Sequence, residues 1–256
     1  MIKVVRRVVY ALALPVILLA VWWVASAGST NFYFPPLSDI VSQVGEIWLG
    51  PRLGTDVVPS LVRLAIGYFG AAIVGVGLGV LIGTYRWLRD MVEPALEFLR
   101  AIPPTVLVPV LVLLLGIGDT MKVVVIAVGC VWPILLNTVE GVRAVDEVLT
   151  DTARMFKLRP ISRLTMTLRS ASPQIMAGLR QSLSVAIILM VISELFAASD
   201  GLGFAVVQAQ RSFDIPQMWA GMLVLGILGL LLALLFGVAE RRVLRWYHGL
   251  RQAQRS

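Results

Sequence analysis

The chain has 256 residues, of which 58% are hydrophobic and 14% charged, and its mean hydropathy is +0.87. About a quarter of a soluble domain is charged, so the composition excludes an ordinary water-soluble fold and implies an all-α, polytopic membrane protein; no stretch alternates as barrel strands do. The net charge of +7 follows the connecting segments rather than one patch, which argues against a nucleic-acid partner, and the lone Cys130 excludes an internal disulfide.

The first predicted span covers residues 8–27. Lys3, Arg6 and Arg7 precede it as in a signal peptide, but the apolar run is too long for a typical h-region. Trp22 and Trp23 fall near its far end, where aromatic belts sit. A polar segment continues to residue 60, with a weakly amphipathic piece at 37–49 expected to be an exposed surface helix. The second span, 61–85, carries Gly67, Ala71, Gly75, Gly79 and Gly83 four apart. Such a stripe of small residues lets helix backbones pack closely in lipid. Gly75, Gly77 and Gly79 lack the G-x-G-x-x-G spacing of a nucleotide loop.

Residues 94–100 are expected to form a short polar helix before Pro103 and Pro104 open a third span at 105–117. That run is short against the ~20 residues a bilayer requires. A fourth span, 122–139, contains Pro133 as a kink and Asn137 as an internal polar group. Ser172 as N-cap and Pro173 at the first helical position predict the start of a fifth span that ends at 197. Gly201 and Gly203 break the chain, a short helix follows at 204–210, and a sixth span occupies 219–238. The expected organisation is a first helix and external segment (1–60), a transmembrane domain (61–242) and a basic cytoplasmic tail (243–256).

With the N-terminus inside, 18 of the 22 Lys and Arg fall on one side, leaving Arg52, Arg63, Lys122 and Arg211 on the other. Because Lys and Arg concentrate in cytoplasmic loops, both termini and the 140–180 loop are expected in the cytoplasm. In that loop Val145, Val148, Leu149, Thr152, Met155 and Phe156 recur at helical spacing. They form one face of an amphipathic helix, which either lies on lipid or docks into a partner. Periodicity alone leaves the two uses equal.

The absent chemistry is informative. The lysines are Lys3, Lys122 and Lys157, none in a Gly-Lys-Ser/Thr context, so the chain has no P-loop to cradle nucleotide phosphates. His248 is the only histidine, which excludes a His/Cys metal cluster and a histidine-based triad. The expectation is a protein without catalytic residues, metal or cofactor of its own. Ionisable groups within spans are costly and point to function. Glu194 is the one that stands out, either as a pore or gate group or as an interfacial carboxylate paired locally. Ser193 and Asn137 are further pore candidates, with helix–helix contact as the competing role.

Three stretches carry a family resemblance: Arg100 to Pro104, Pro109 to Gly118, and Leu136 to Asp146. They resemble the inner-membrane permease of an ABC importer, of the nitrate/sulfonate/taurine type. Ala177 to Arg180, Ser193 to Phe196 and Gly201 to Phe204 continue the match, which extends over residues 34–242. The resemblance implies a cytoplasmic coupling helix with a signature close to E-A-A-x₃-G-x₉-I-x-L-P. Here Asp151, Thr152 and Ala153 stand at E-A-A and Lys157 at the glycine, while the later L-P is not intact.

It further implies a solute path for a small, often anionic solute, built with a second permease copy as a homodimer or heterodimer. ATP and Mg would be bound by separate ATPase subunits docking at the 146–168 loop, through Asp151, Ala153, Arg154, Met155, Phe156, Lys157, Arg159 and Pro160. A periplasmic or lipid-anchored binding protein would deliver the solute at the bacterial inner membrane. The competing classes are a secondary transporter or channel working alone, which calls for paired charges at mid-membrane and an inverted repeat, and a structural membrane protein.

Overall fold

The computed structural model describes residues 2–196 and 198–247, with side chains from residue 13 onward except Pro15. The side chains of Lys3, Arg6 and Arg7, the predicted end of span five at Ala197, and the tail residues His248, Arg251 and Arg255 lie outside the described part. The regular structure among the described residues is all helical, with no strand.

Helix α1 (Ile2–Ser26) leads into a segment that is not the exposed surface helix expected for 37–49. Its α2 (Leu37–Gln43) and two π-helical turns, Val44–Trp48 and Leu53–Val57, bury Leu37, Ile40 and Trp48. Trp48 is completely covered because Gly221 faces it; a Cβ there would sit 2.6 Å from the Trp48 ring. The Ser26 hydroxyl accepts the Leu37 N–H at 3.0 Å and joins α1 to this segment. The weak apolar periodicity was a core face of mixed helical pitch.

Helix α3 (Val58–Thr84) is the first long element of the core. Its small-residue stripe meets α6 (Asp119–Arg143) at one constant register: Gly67 against Ile126, Gly75 against Ile134, Gly79 against Thr138 and Gly83 against Val142, each pair 59 positions apart. A constant difference means the two helices run parallel. Added Cβ atoms at these glycines would fall 2.6–2.9 Å from the facing side chains, so only glycine permits the approach.

Parallel neighbours require the chain between them to return the full length of the bundle. It does so through α4 (Arg86–Ala101) and α5 (Leu107–Leu115), bent by 72° around Pro103 and Pro104. Ile102 and Pro103 each precede a proline and are both extended (ψ 117° and 124°), as proline requires of its predecessor. The third predicted span is therefore the second arm of a broken one. The short polar helix expected at 94–100 is the end of the 16-residue α4.

Helix α7 (Glu147–Met155) caps one end of the bundle. The next helix, α8 (Pro160–Phe196), begins at Pro160, not at Ser172–Pro173 as expected. Pro173 has no N–H for the carbonyl of Arg169, four residues back. The Ser172 hydroxyl donates to that carbonyl instead, at 2.8 Å, so Ser-Pro is accommodated in mid-helix rather than starting one. Helix α8 runs antiparallel to α6, with Gly141 against Ala171 and Gln174, Cys130 against Ser182, and Gly178 against Asn137. Helix α9 (Leu202–Arg211) and the long α10 (Ile215–Val243) follow.

Among the described residues, α3 with the turn before it, α6, α8 and α10 are long and apolar enough to cross a membrane, and the bent α4–α5 pair, counted as one broken span, makes five.

Candidate functional site

The α7 end is built around a short helix closed at both termini. The Asp146 carboxylate accepts the Val148 N–H at 2.8 Å as N-cap. At the far end Leu158 N–H reaches the Ala153 carbonyl and Lys157 N–H the Arg154 carbonyl, both at 3.0 Å. This is the Schellman pattern, and its C′ residue, Lys157, is left-handed at φ 48°. The glycine of the E-A-A-x₃-G pattern falls at this position. A glycine would meet the conformation without Cβ strain; lysine adopts it nonetheless.

Closure turns Ala153 inward at 3% exposure and leaves Met155 at 82% and Phe156 at 76%. Val148 and Ile161 are also exposed. Met155 and Phe156 therefore do not pack on the chain's own spans. Arg154 pairs with Asp151 at 3.1 Å within the helix, and Arg159 and Pro160 lie exposed where α8 begins. Of the residues expected to dock a partner, Ala153 alone faces the wrong way.

At the opposite end, Glu194 is 1% exposed. Its Oε1 lies 2.6 Å from the Ser60 hydroxyl and 3.2 Å from Arg63 Nη1, and its Oε2 accepts the Gly203 N–H at 2.9 Å. Arg63 Nη2 also binds Asp119 at 2.7 Å and Asp200 at 2.9 Å, and Lys122 sits 3.5 Å from Asp200. Asp56 accepts the Gly201 N–H at 2.9 Å. Gly201 has φ 112°, and a Cβ on it would fall 2.5 Å from the Glu194 carboxyl carbon. The Ser193–Phe196 and Gly201–Phe204 stretches are thus one unit, a backbone turn wrapped on a carboxylate.

Burial works to raise the pKa of Asp200, but the hydrogen bonds and charge of Arg63, with the charge of Lys122, outweigh it and hold the group below the usual carboxylate range.

Arg63 and Lys122, counted in the sequence as outer-loop charges, are 4% and 2% exposed. Each lies inside the first turns of an apolar helix, where an unpaired cation is costly; that placement was the available signal. The partners Asp119, Asp200 and Ser60 had none. Ser193 donates to the Met190 carbonyl and Asn137 to the Pro133 carbonyl, each in its own helix. Among the described residues no His/Cys/Asp/Glu group suits a metal.

The family described as binding-protein-dependent transport system inner membrane component matches residues 75–247. The chain belongs to that family of ABC importer permeases. A probable ABC transporter permease of Brucella melitensis is 31% identical over 88% of the permease and 92% of that protein. The taurine transport system permease protein TauC of Escherichia coli is 29% identical, covering 94% and 91%. The nitrate import permease protein NrtB of Synechocystis is 29% identical, covering 84% and 82%. The fold matches the inward-facing MetNI methionine ABC transporter with a TM-score of 0.66 at 20% identity, over 77% of the permease and 97% of that chain.

The permease is a membrane-spanning importer subunit, not an enzyme; family membership brings an ATPase and a substrate-binding protein as partners, and the permease family has no cofactor of its own.

Proposed function

We propose that α7 is the coupling helix of this permease and that it seats in a cleft on the cytoplasmic ATPase. Met155 and Phe156 serve as apolar anchors, and Asp151, Arg154, Lys157, Arg159 and Pro160 form the rim. Ala153 acts from inside by allowing the tight closure. The observation that carries this reading is the exposure of Met155 (82%) and Phe156 (76%) at the tip of a helix capped at both ends. A short rigid helix can pass a push to α6 and α8, which it connects. Large apolar side chains at the centre of a contact, ringed by polar ones, are what carries binding energy.

In this reading the α7 end, both termini and the 243–256 tail face the cytoplasm, and the 1–60 segment contributes the first span and the external cover. ATP and Mg reside on the ATPase, a second permease copy completes the path, and a periplasmic or lipid-anchored protein delivers the solute. The solute is a small anionic or polar one of the sulfonate, taurine or nitrate kind, which the names of the relatives support. The burial of Glu194 within one chain favours a clamp over a gate.

The test is co-purification with the cognate ATPase. Phe156→Ala combined with charge reversal at Arg154 and Lys157 is expected to abolish it. Undiminished co-purification would place the contact elsewhere.

A further inference from the structure

Beside α7 the ends of α3, α4 and α6 leave a cleft of about 370 Å³. Four arginines from three helices face it: Arg86 and Arg89 of α4, Arg143 of α6 and Arg154 of α7, with Glu147 as the single lining carboxylate. Arg143 and Arg154 have carboxylate partners on their own helices at 2.9 and 3.1 Å. Arg86 and Arg89 share only Asp90 of their own helix, each at 4.0 Å. The Arg89 side chain is only 18% exposed, and it also lines a cleft with Glu93, Glu97 and Glu140. No hydrogen bond to its guanidinium exists among the described residues. A largely sequestered planar donor set with no hydrogen-bonded acceptor is matched to an oxyanion.

Through Thr84 and Thr167, which line both, the cleft adjoins a second trough of about 440 Å³ between α3 and α8. Gly77, Val80 and Leu81 of α3 and Leu164 of α8 form its apolar part, and Tyr85, Pro160 and Arg163 line the rest with the two threonines. The trough lies along the last turns of a membrane-crossing helix, and the arginines sit just past its end. Guanidinium groups at the membrane boundary joined to an apolar furrow along the span have the two halves of a phospholipid's chemistry.

We infer that this cleft and trough bind one anionic phospholipid, its phosphate on Arg86, Arg89 and Arg143 and an acyl chain along Gly77, Leu81 and Leu164. Such a lipid would sit against α7 and steady the α3–α6–α8 ends from which that helix hangs. The inference does not depend on α7 docking an ATPase, because its readout is lipid binding.

The experiment uses the full chain, with whatever subunits accompany it from the membrane in mild detergent. Native mass spectrometry and thermal unfolding are followed with dioleoyl phosphatidylglycerol, with dioleoyl phosphatidylcholine, and with inorganic phosphate alone. Phosphatidylglycerol is expected to bind and raise the unfolding temperature, and the other two are not. Arg86→Gln with Arg89→Gln should weaken that binding about thirtyfold, since each arginine at an anionic headgroup contributes about fivefold.

Arg211→Gln, the same change at the exposed opposite end, should leave binding unaltered. A third variant separates the chain from the headgroup. Gly77 has nothing within 4 Å of an added Cβ, so a side chain can start there, and Gly77→Leu should occupy the trough and displace the lipid while every arginine stays. Equal binding of the zwitterionic lipid, stabilisation by phosphate alone, or wild-type binding by Gly77→Leu would each overturn the inference.

Discussion

Arg63 and Glu194 form a buried ion pair at 3.2 Å with side chains 5% and 0% exposed, joining the first turns of α3 to the last turns of α8. The pair is the middle of a chain of contacts from Ser60 to Asp200 and Lys122. Removing one member of such a pair leaves the other charge buried without compensation, which costs about 3–5 kcal/mol. Arg63→Met is therefore expected to be the most damaging change at this end, because it strands Glu194. Glu194→Gln should cost less, since the amide oxygen still accepts from Gly203 and Arg63 keeps Asp119 and Asp200. Thermal unfolding in detergent ranks the two; the reverse order would mean the pair is not the clamp.

The α3–α6 contact offers a comparison of two glycines on one helix. A Cβ at Gly79 would lie 2.6 Å from the Thr138 Cβ, whereas a Cβ at Gly70 meets nothing within 4 Å. Gly79→Ala is expected to destabilise by about 1–3 kcal/mol through overpacking. Gly70→Ala is expected to stabilise by about 0.5–1 kcal/mol, because it removes only the entropic cost of a helical glycine. Opposite shifts in unfolding temperature are the outcome to look for, and equal shifts would remove close packing as the reason for the stripe.

The stripe was legible because glycines spaced by four leave a mark in the sequence. So did the long apolar runs, the Pro103–Pro104 break and the α7 periodicity. What could not be seen has a common cause. The start of α8 was misplaced because Ser172-Pro173 has the same letters as an N-cap, and only the position of the Arg169 carbonyl distinguishes the two. The 37–49 piece looked exposed because its core face is spread over α-helical and π-helical turns, which no single period captures. The ion cluster was invisible because its members come from residues 56–63, 119–122 and 194–200. Their approach depends on the parallel register of α3 and α6, a tertiary fact.

Asp200 gives the cluster a pH dependence with a definite sign. Arg63 and Lys122 hold its carboxyl below the ordinary range, overcoming burial. The stability it contributes is complete above the unfolded-state value of about 3.9 and is lost as pH falls through the lower folded-state value. The unfolding temperature should therefore fall as the pH drops below about 4, and Asp200→Asn should flatten that part of the profile. A variant that keeps the full acid-side slope would assign the slope to other carboxylates.

Lys157 allows α7, the proposed coupling helix, to be tuned without touching its proposed anchors. Its left-handed φ of 48° costs a residue with a Cβ about 1–2 kcal/mol, while the Schellman hydrogen bonds of Leu158 and Lys157 hold it there. Lys157→Gly removes the strain and keeps both backbone donors, so it should raise the stability of the α7 turn, seen as slower amide exchange at Lys157 and Leu158 positions. Lys157→Val places a β-branched side chain in the same conformation and should do the opposite. If Lys157 also meets the ATPase through its charge, the glycine variant will be more stable yet co-purify less ATPase, with the loss growing smaller as salt is raised. If it acts only as a hinge closure, the glycine variant will retain or gain ATPase while the valine variant loses it. The two outcomes separate a rim contact from a geometric one at a single position.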